Sequence, residues 1–199
     1  MIRERLFPAT VMPDRNWWHA LWPDPDGVSQ ALGIEPGMTV VDLGCGYGYF
    51  TAAIARRVGL GRVIGFDLDP EMLEQAQVAC AGQPNCDWLL GDAMELSRLL
   101  DEPADYVLIA NTFHGAPDKT ALSREVAAAL KPNGRFAIVN WHARPREETT
   151  VLDQPRGPST DLRMSPEQTR AVVEPGGFTL EKVVELRPYH YGAIFVRAS

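Results

Sequence analysis

Cysteine is scarce in this chain of 199 residues: Cys45, Cys80 and Cys86 are an odd number and form no C-x-x-C pair. That excludes a disulfide framework and a cysteine-based zinc site, and it fits free thiols in a reducing compartment. Long apolar runs are missing too, since none approaches the roughly 20 residues that span a bilayer. The opening stretch Met1–Pro8 lacks the apolar core of a signal peptide, so the expected compartment is the cytoplasm. Positive charge is in deficit: 19 Lys and Arg against 26 Asp and Glu give a net charge of -7. Proteins that grip phosphate backbones carry a basic face, because counterion release drives that binding. Here the one concentrated positive stretch, Arg144–Pro145–Arg146, runs straight into Glu147–Glu148 and reads as a solvated loop face. Composition therefore argues against a nucleic-acid partner. No internal repeat and no linker divides the chain, so residues 1–199 are expected to form one domain.

What is present is a globular composition, 45% hydrophobic and 23% charged. From Thr39 to Asn140, short β-rich runs alternate with helical stretches, the pattern of an α/β fold with a parallel sheet. Met38–Leu43 is a first strand, apolar on both faces as a buried parallel strand requires. A helix over Phe50–Val58 ends at Gly59, and Arg62–Asp67 is the second strand. Asp69 caps a helix with Pro70 in its first position. Asp87–Leu90 is a third strand, followed by a short helix over Ala93–Leu100. Ala104–Ala110 is the fourth strand, and a helix over Asp118–Leu130 stops at the turn signal Lys131–Pro132–Asn133–Gly134. Arg135–Asn140 is the fifth strand.

The flanks break this rhythm. Residues 1–35 are expected to form a helical cap, in which Trp18, Leu21 and Trp22 fall at i, i+3 and i+4 on one apolar stripe. A second short helix is expected over Gly27–Leu32. Residues 143–164 show no periodicity and are broken by Pro145, Pro155, Gly157 and Pro158, which marks a long loop. Residues 165–199 open with a capping box at Ser165 and Gln168 and continue into two strands, Phe178–Leu186 and Tyr191–Arg197.

The chemistry concentrates in Gly44–Cys45–Gly46–Tyr47–Gly48, between the first strand and its helix. Glycines there let the chain turn tightly and let a ligand approach the backbone. Alone, such a loop points only to a nucleotide-like ligand. Asp67 ends the second strand, where a carboxylate can take two ribose hydroxyls, and Asp92 follows Gly91 at the end of the third. Ligands of open α/β sheets bind along that carboxyl edge, so all three features converge on one cleft. Tyr49 stands where a dinucleotide fingerprint has its third glycine, which turns the reading away from nicotinamide oxidoreductases.

Val40–Thr51 resembles the first motif of the class I S-adenosylmethionine-dependent methyltransferases. Gly65–Leu73 resembles their acidic loop, Gly91–Asp92–Ala93 their adenine-contacting motif, and Leu130–Arg135 the turn before their fifth strand. The resemblance covers residues 37–140 and is nearest to the small-molecule branch of ubiquinone and menaquinone C-methyltransferases (methyltransferase type 11-like). It implies a Rossmann-like, seven-stranded, mostly parallel sheet with an antiparallel last strand and helices on both faces, to which the residues of the N-terminal cap add a short helical lid. It further implies S-adenosyl-L-methionine as cofactor. Asp42, Gly44 and Gly46 would hold the methionine moiety, and Asp67 the ribose, with Leu68 along the adenine. Asp92 and Ala93 would contact the adenine amine and ring, and the Asn111 backbone would face the methyl donor. Nothing resembles the acidic metal cluster of catechol-type methyltransferases, so no metal is expected.

His114 and His142 follow the fourth and fifth strands and are the candidate general bases, needed only if the acceptor nucleophile starts protonated. Cys45 reads as a small buried filler rather than a nucleophile. The expected acceptor is a small, partly apolar molecule. A protein or nucleic-acid methyltransferase and a non-catalytic S-adenosylmethionine-binding protein stay open beside it. Oligomeric state is not legible.

Overall fold

The computed structural model describes Phe7, Thr10 and residues 12–198. Helix α1 (Arg15–Leu21) starts where the Asp14 carboxylate accepts from the Asn16 amide, and α2 (Pro25–Ala31) where Asp24 caps Gly27. Proline at the first position of α2 removes an amide that would have had no partner, so this helix begins earlier than its apolar residues suggest. There follow β1 (Thr39–Leu43), α3 (Tyr49–Val58), β2 (Arg62–Asp67), α4 (Pro70–Ala79) and β3 (Cys86–Leu90). The helix expected at Ala93–Leu100 splits into a 3-10 turn, Ala93–Glu95, capped by Asp92, and the short α5 (Leu96–Leu99). Next come β4 (Ala104–Ala110), α6 (Lys119–Ala129), β5 (Leu130–Trp141), the two-residue strands β6 (Thr150–Val151) and β7 (Gln154–Pro155), α7 (Pro166–Val173), β8 (Phe178–Leu186) and β9 (His190–Arg197).

Seven strands make one sheet in the order β3-β2-β1-β4-β5-β9-β8. Strands β1 to β5 pair in parallel, while β9 runs antiparallel to both β5 and β8. This is the Rossmann-like arrangement that the resemblance implies, with the antiparallel strand inserted beside β5. Chain order reverses between β1 and β4, so their outgoing loops diverge and open a crevice at the carboxyl edge. Among the described residues no helix is long and apolar enough to cross a membrane.

Side chains alternate between two buried layers, as strand geometry demands. Tyr106 and Leu108 of β4 pack with Trp18, Leu21, Trp22 and α3 on one face. Val107 and Ile109 pack with Leu122 and Val126 of α6 on the other. The N-terminal helices are pinned to the sheet by polar contacts as well: buried Tyr106 donates to the Leu32 carbonyl at 2.7 Å, and Tyr49 donates to the Trp22 carbonyl.

Two expectations change. The turn at Lys131–Gly134 is absorbed as a bulge inside β5, where pairing jumps from Ala104–Leu130 to Tyr106–Arg135 and Asn133 takes φ 61. An extra stretch on one strand can be accommodated this way without ending the ladder. Residues 143–164 are not structureless. They hold the β6–β7 hairpin, whose tip residues Leu152 and Asp153 sit at φ 50 and 59. Tight hairpins need positive φ at both tip positions and usually signal it with Asn-Gly or Asp-Gly, which is why Leu-Asp gave no sign of one.

Tyr106→Phe is expected to lower unfolding free energy by about 1–2 kcal/mol, because the buried Leu32 carbonyl loses its donor. Urea unfolding of the two proteins checks this.

Candidate functional site

A cavity of about 640 Å³ opens at the carboxyl edge, lined by residues at or just beyond the ends of β1, β2, β3, β4 and β5. The glycine loop forms part of its lining. Gly44 and Gly46 take φ +74 and +54, a region that costs other residues about 1–2 kcal/mol. A Cβ on Gly46 would stand 2.5 Å from the Met12 sulfur, so the loop is also a close seat for the N-terminal segment.

Two carboxylates flank the loop. Asp42 is buried beneath it, and its Oδ2 accepts from the Thr51 hydroxyl at 2.6 Å. Burial pushes its pKa up to about 6; the Thr51 bond opposes the rise and the charge of Asp67 adds to it. Asp67 accepts from the Gly46 amide at 2.8 Å through Oδ2 and from the Asp69 amide at 3.0 Å through Oδ1. Burial raises its pKa as well, against those two backbone bonds. A carboxylate has about four acceptor sites, so each oxygen keeps one direction for a ligand hydroxyl.

Leu68, Asp92 and Ala93 line the same wall. Asp92 Oδ1 accepts from the Met94 amide at 3.0 Å. Asn111 ends β4 in a left-handed conformation, φ 58, and its amide donates to the Val139 carbonyl at 2.9 Å. Both polar atoms of its side chain are buried without a hydrogen-bond partner among the described residues. A buried amide in that condition is costly unless a ligand or water completes it. His114 sits buried on the turn Phe113–Gly115 and also lines the cavity.

His142 does not. Strand alternation turns Trp141 toward the cavity and His142 to the opposite face, where its Nε2 lies 3.1 Å from Glu185 Oε2 and its ring packs on Tyr191. The cavity lining is also aromatic and basic: Trp17, Trp18, Phe50 and Trp141, with Arg146 and Arg156. Arg146 is thus half-buried on a cavity wall rather than on a solvated face. Arg156 gave no sequence signal, because the fold of the 143–164 segment brings it there. Cys45 is buried beside Asp42 and Asp67, and burial with those two charges holds its thiol well above the ordinary range, which suits a filler and not a nucleophile.

A family model described as a methyltransferase domain matches residues 40–134. A demethylmenaquinone methyltransferase of Staphylococcus aureus (strain MRSA252) is 35% identical over 117 residues, 58% of this chain and 47% of the relative. The chain thus spans about half the length of the curated relatives it matches. A solved S-adenosylmethionine-dependent methyltransferase from Aquifex aeolicus superposes with a TM-score of 0.77 at 25% identity, covering 93% of this chain and 94% of that one. Residues 40–134 thus match a methyltransferase domain, and the chain has the fold of a solved S-adenosylmethionine-dependent methyltransferase. Aeropyrum pernix fibrillarin, solved with natively bound S-adenosyl-L-methionine, shares the fold at a TM-score of 0.61 and 18% identity, covering 82% of this chain and 68% of that one.

The cleft fits S-adenosyl-L-methionine. Buried Asp42 suits an ammonium group, the free acceptor directions of Asp67 suit a diol, and the uncompensated Asn111 amide is a polar group awaiting a partner. Among the described residues no group of three or more His, Cys, Asp or Glu could hold a metal ion.

The raised pKa of Asp42 has a stability consequence of definite sign. In the unfolded chain the carboxyl titrates near 3.8, and in the fold near 6, so the folded form holds the proton more tightly. The group favours folding below pH 3.8, and that advantage is lost as pH rises toward 6; at pH 7 the buried charge costs about 3 kcal/mol. Asp42→Asn is therefore expected to stabilise the ligand-free protein by up to about 3 kcal/mol at pH 7 and hardly at all near pH 4. Thermal unfolding at the two pH values reads the difference.

Proposed function

We propose that this chain moves a methyl group from S-adenosylmethionine to a small, partly apolar acceptor. The observation that carries the reading is one cavity lined both by buried carboxylates beside a glycine loop and by tryptophans. In this reading Asp42, Gly44 and Gly46 hold the methionine moiety. Asp67 takes the ribose hydroxyls, Leu68 lies along the adenine, and Asp92 with Ala93 meets its amine edge. The Asn111 backbone faces the methyl donor. When bound, S-adenosylmethionine supplies a methyl already activated on a sulfonium. The chain then has to orient a nucleophile in line with that methyl and exclude water, which the aromatic lining is built to do. His114 is the general base where the acceptor starts protonated; His142 is not carried into the proposal because Glu185 and Tyr191 hold it on the other face.

The name of the staphylococcal relative, a demethylmenaquinone methyltransferase, supports a quinone-like acceptor, and the aromatic wall is compatible with one. The three free thiols, Cys45, Cys80 and Cys86, support a cytoplasmic setting, and we treat the whole chain as one domain built around this cavity.

Calorimetric titration with S-adenosylmethionine, S-adenosylhomocysteine and NAD tests the donor. Binding of NAD with neither sulfur ligand overturns the proposal. Asp67→Ala is expected to weaken S-adenosylmethionine binding about 10- to 100-fold, the loss of charge-assisted hydrogen bonds to two hydroxyls. Affinity should also fall as pH drops through about 6, because a protonated Asp42 no longer attracts an ammonium. Transfer of a labelled methyl into a metabolite extract separates an enzyme from a silent binder and names the acceptor.

A further inference from the structure

The basic lining of the cavity belongs to none of the roles above. Arg146 and Arg156 lie on either side of the β6–β7 hairpin, and both line the cavity beside Trp17 and Trp141. Their backbones are joined through one buried residue: the Thr149 hydroxyl is 2.9 Å from the Arg146 carbonyl and 3.0 Å from the Arg156 carbonyl. The Arg156 amide donates in turn to the Thr149 carbonyl at 2.9 Å. Arg163, only 4% exposed, locks the same unit. It donates to the Pro158 carbonyl at 3.1 Å and, at 2.9 Å each, to Thr149 Oγ1 and the Arg156 carbonyl. Gly157 lies against the Trp141 ring so closely that a Cβ would meet it at 2.7 Å. A loop fastened this thoroughly presents its arginines in a fixed geometry.

The guanidinium groups themselves are under-used. Arg156 lies over the Trp17 ring at 5.3 Å, and its Nε is buried without a hydrogen-bond partner among the described residues. Among the described residues the Arg146 guanidinium commits only Nε, to the Gly157 carbonyl at 3.1 Å. Among the described residues neither arginine forms an ion pair, although the chain carries seven more acidic than basic groups. Glu147 and Glu148 sit beside Arg146 in the chain but are exposed. Two guanidiniums on one cavity lining, that of Arg156 against the Trp17 face, match a planar carboxylate on an apolar body, the ligand that Arg geometry recognises best.

We infer that Arg146 and Arg156 form a carboxylate subsite in the cavity, and that the acceptor is an apolar, ring-bearing carboxylic acid methylated at another atom. This rests on the methyl-transfer reading above. The one other source of the same chemistry is the carboxylate of the donor's methionine moiety, and the experiment separates the two.

Binding of 3-phenylpropanoate and of its neutral amide, 3-phenylpropanamide, is measured by calorimetry with and without saturating S-adenosylhomocysteine. The same titrations are run on the wild type and on an Arg146→Gln/Arg156→Gln variant. The acid is expected to bind the wild type about tenfold or more tightly than the amide. The double variant should lose that preference and keep its affinity for S-adenosylhomocysteine. Absence of acid binding at millimolar concentration, or equal binding of acid and amide, overturns the subsite without any variant. A loss of S-adenosylhomocysteine affinity in the folded double variant also overturns it, by assigning the arginines to the donor. If the wild type fails to bind S-adenosylhomocysteine at all, the methyl-transfer reading fails, while the acid-to-amide ratio without that ligand still reads the subsite.

Discussion

The structure depends on holding two carboxylates, Asp42 and Asp67, out of water at the carboxyl edge of the sheet. An isolated buried carboxylate is strongly unfavourable, and here no lysine or arginine neutralises either one among the described ion pairs. Compensation comes from the Thr51 hydroxyl and from the amides of Gly46 and Asp69. The Gly46 amide reaches Asp67 only because the glycine loop takes positive φ angles and curls back over β1. Through that bond the loop after β1 is fastened to the end of β2, so fold and ligand site are one arrangement. The residual strain is electrostatic, and it is a strain that a cationic, hydroxyl-bearing ligand relieves.

The donor half of the cavity was legible because its signals lie within a few residues of strand ends. Glycines mark the turn after β1, and Asp67 and Asp92 close β2 and β3, so locating the strands locates the residues. Asn111 follows in the same way from the end of β4, though the orphaned state of its side chain is a matter of packing that no local pattern announces. The two histidines show the limit. Both stand past a strand, yet the turn Phe113–Gly115 puts His114 on the cavity while strand alternation after Trp141 puts His142 against Glu185. Similarly, the order of the last strands follows from family resemblance and not from periodicity, since β8 and β9 pattern alike whichever neighbour they take.

The acceptor half was hidden for a different reason. Trp141, Arg146 and Arg156 come together through the β6–β7 hairpin, whose Leu152–Asp153 tip uses backbone angles that its residue types do not advertise. Arg163 stabilises the loop on carbonyl oxygens rather than on an acid, so no charge pattern marks it either. Proline and glycine in this segment suggested irregularity. In fact Gly157 is small so that the loop can lie flat on an indole ring.

The wall built by Trp141 has one more dependence. Its ring is backed by His190 of β9 at 4.1 Å, and His190 in turn meets Trp22 of the N-terminal segment at 4.4 Å. Burial holds that imidazole neutral, so it acts as a packing spacer between the two indoles. The donor half is contained in the chain up to Asn111, whereas the acceptor half needs β9, which threads between β5 and β8. During synthesis on the ribosome, the pocket for the methyl donor can therefore take shape while its opposite wall is still unmade. The chamber closes only once β9 has emerged and inserted beside β5.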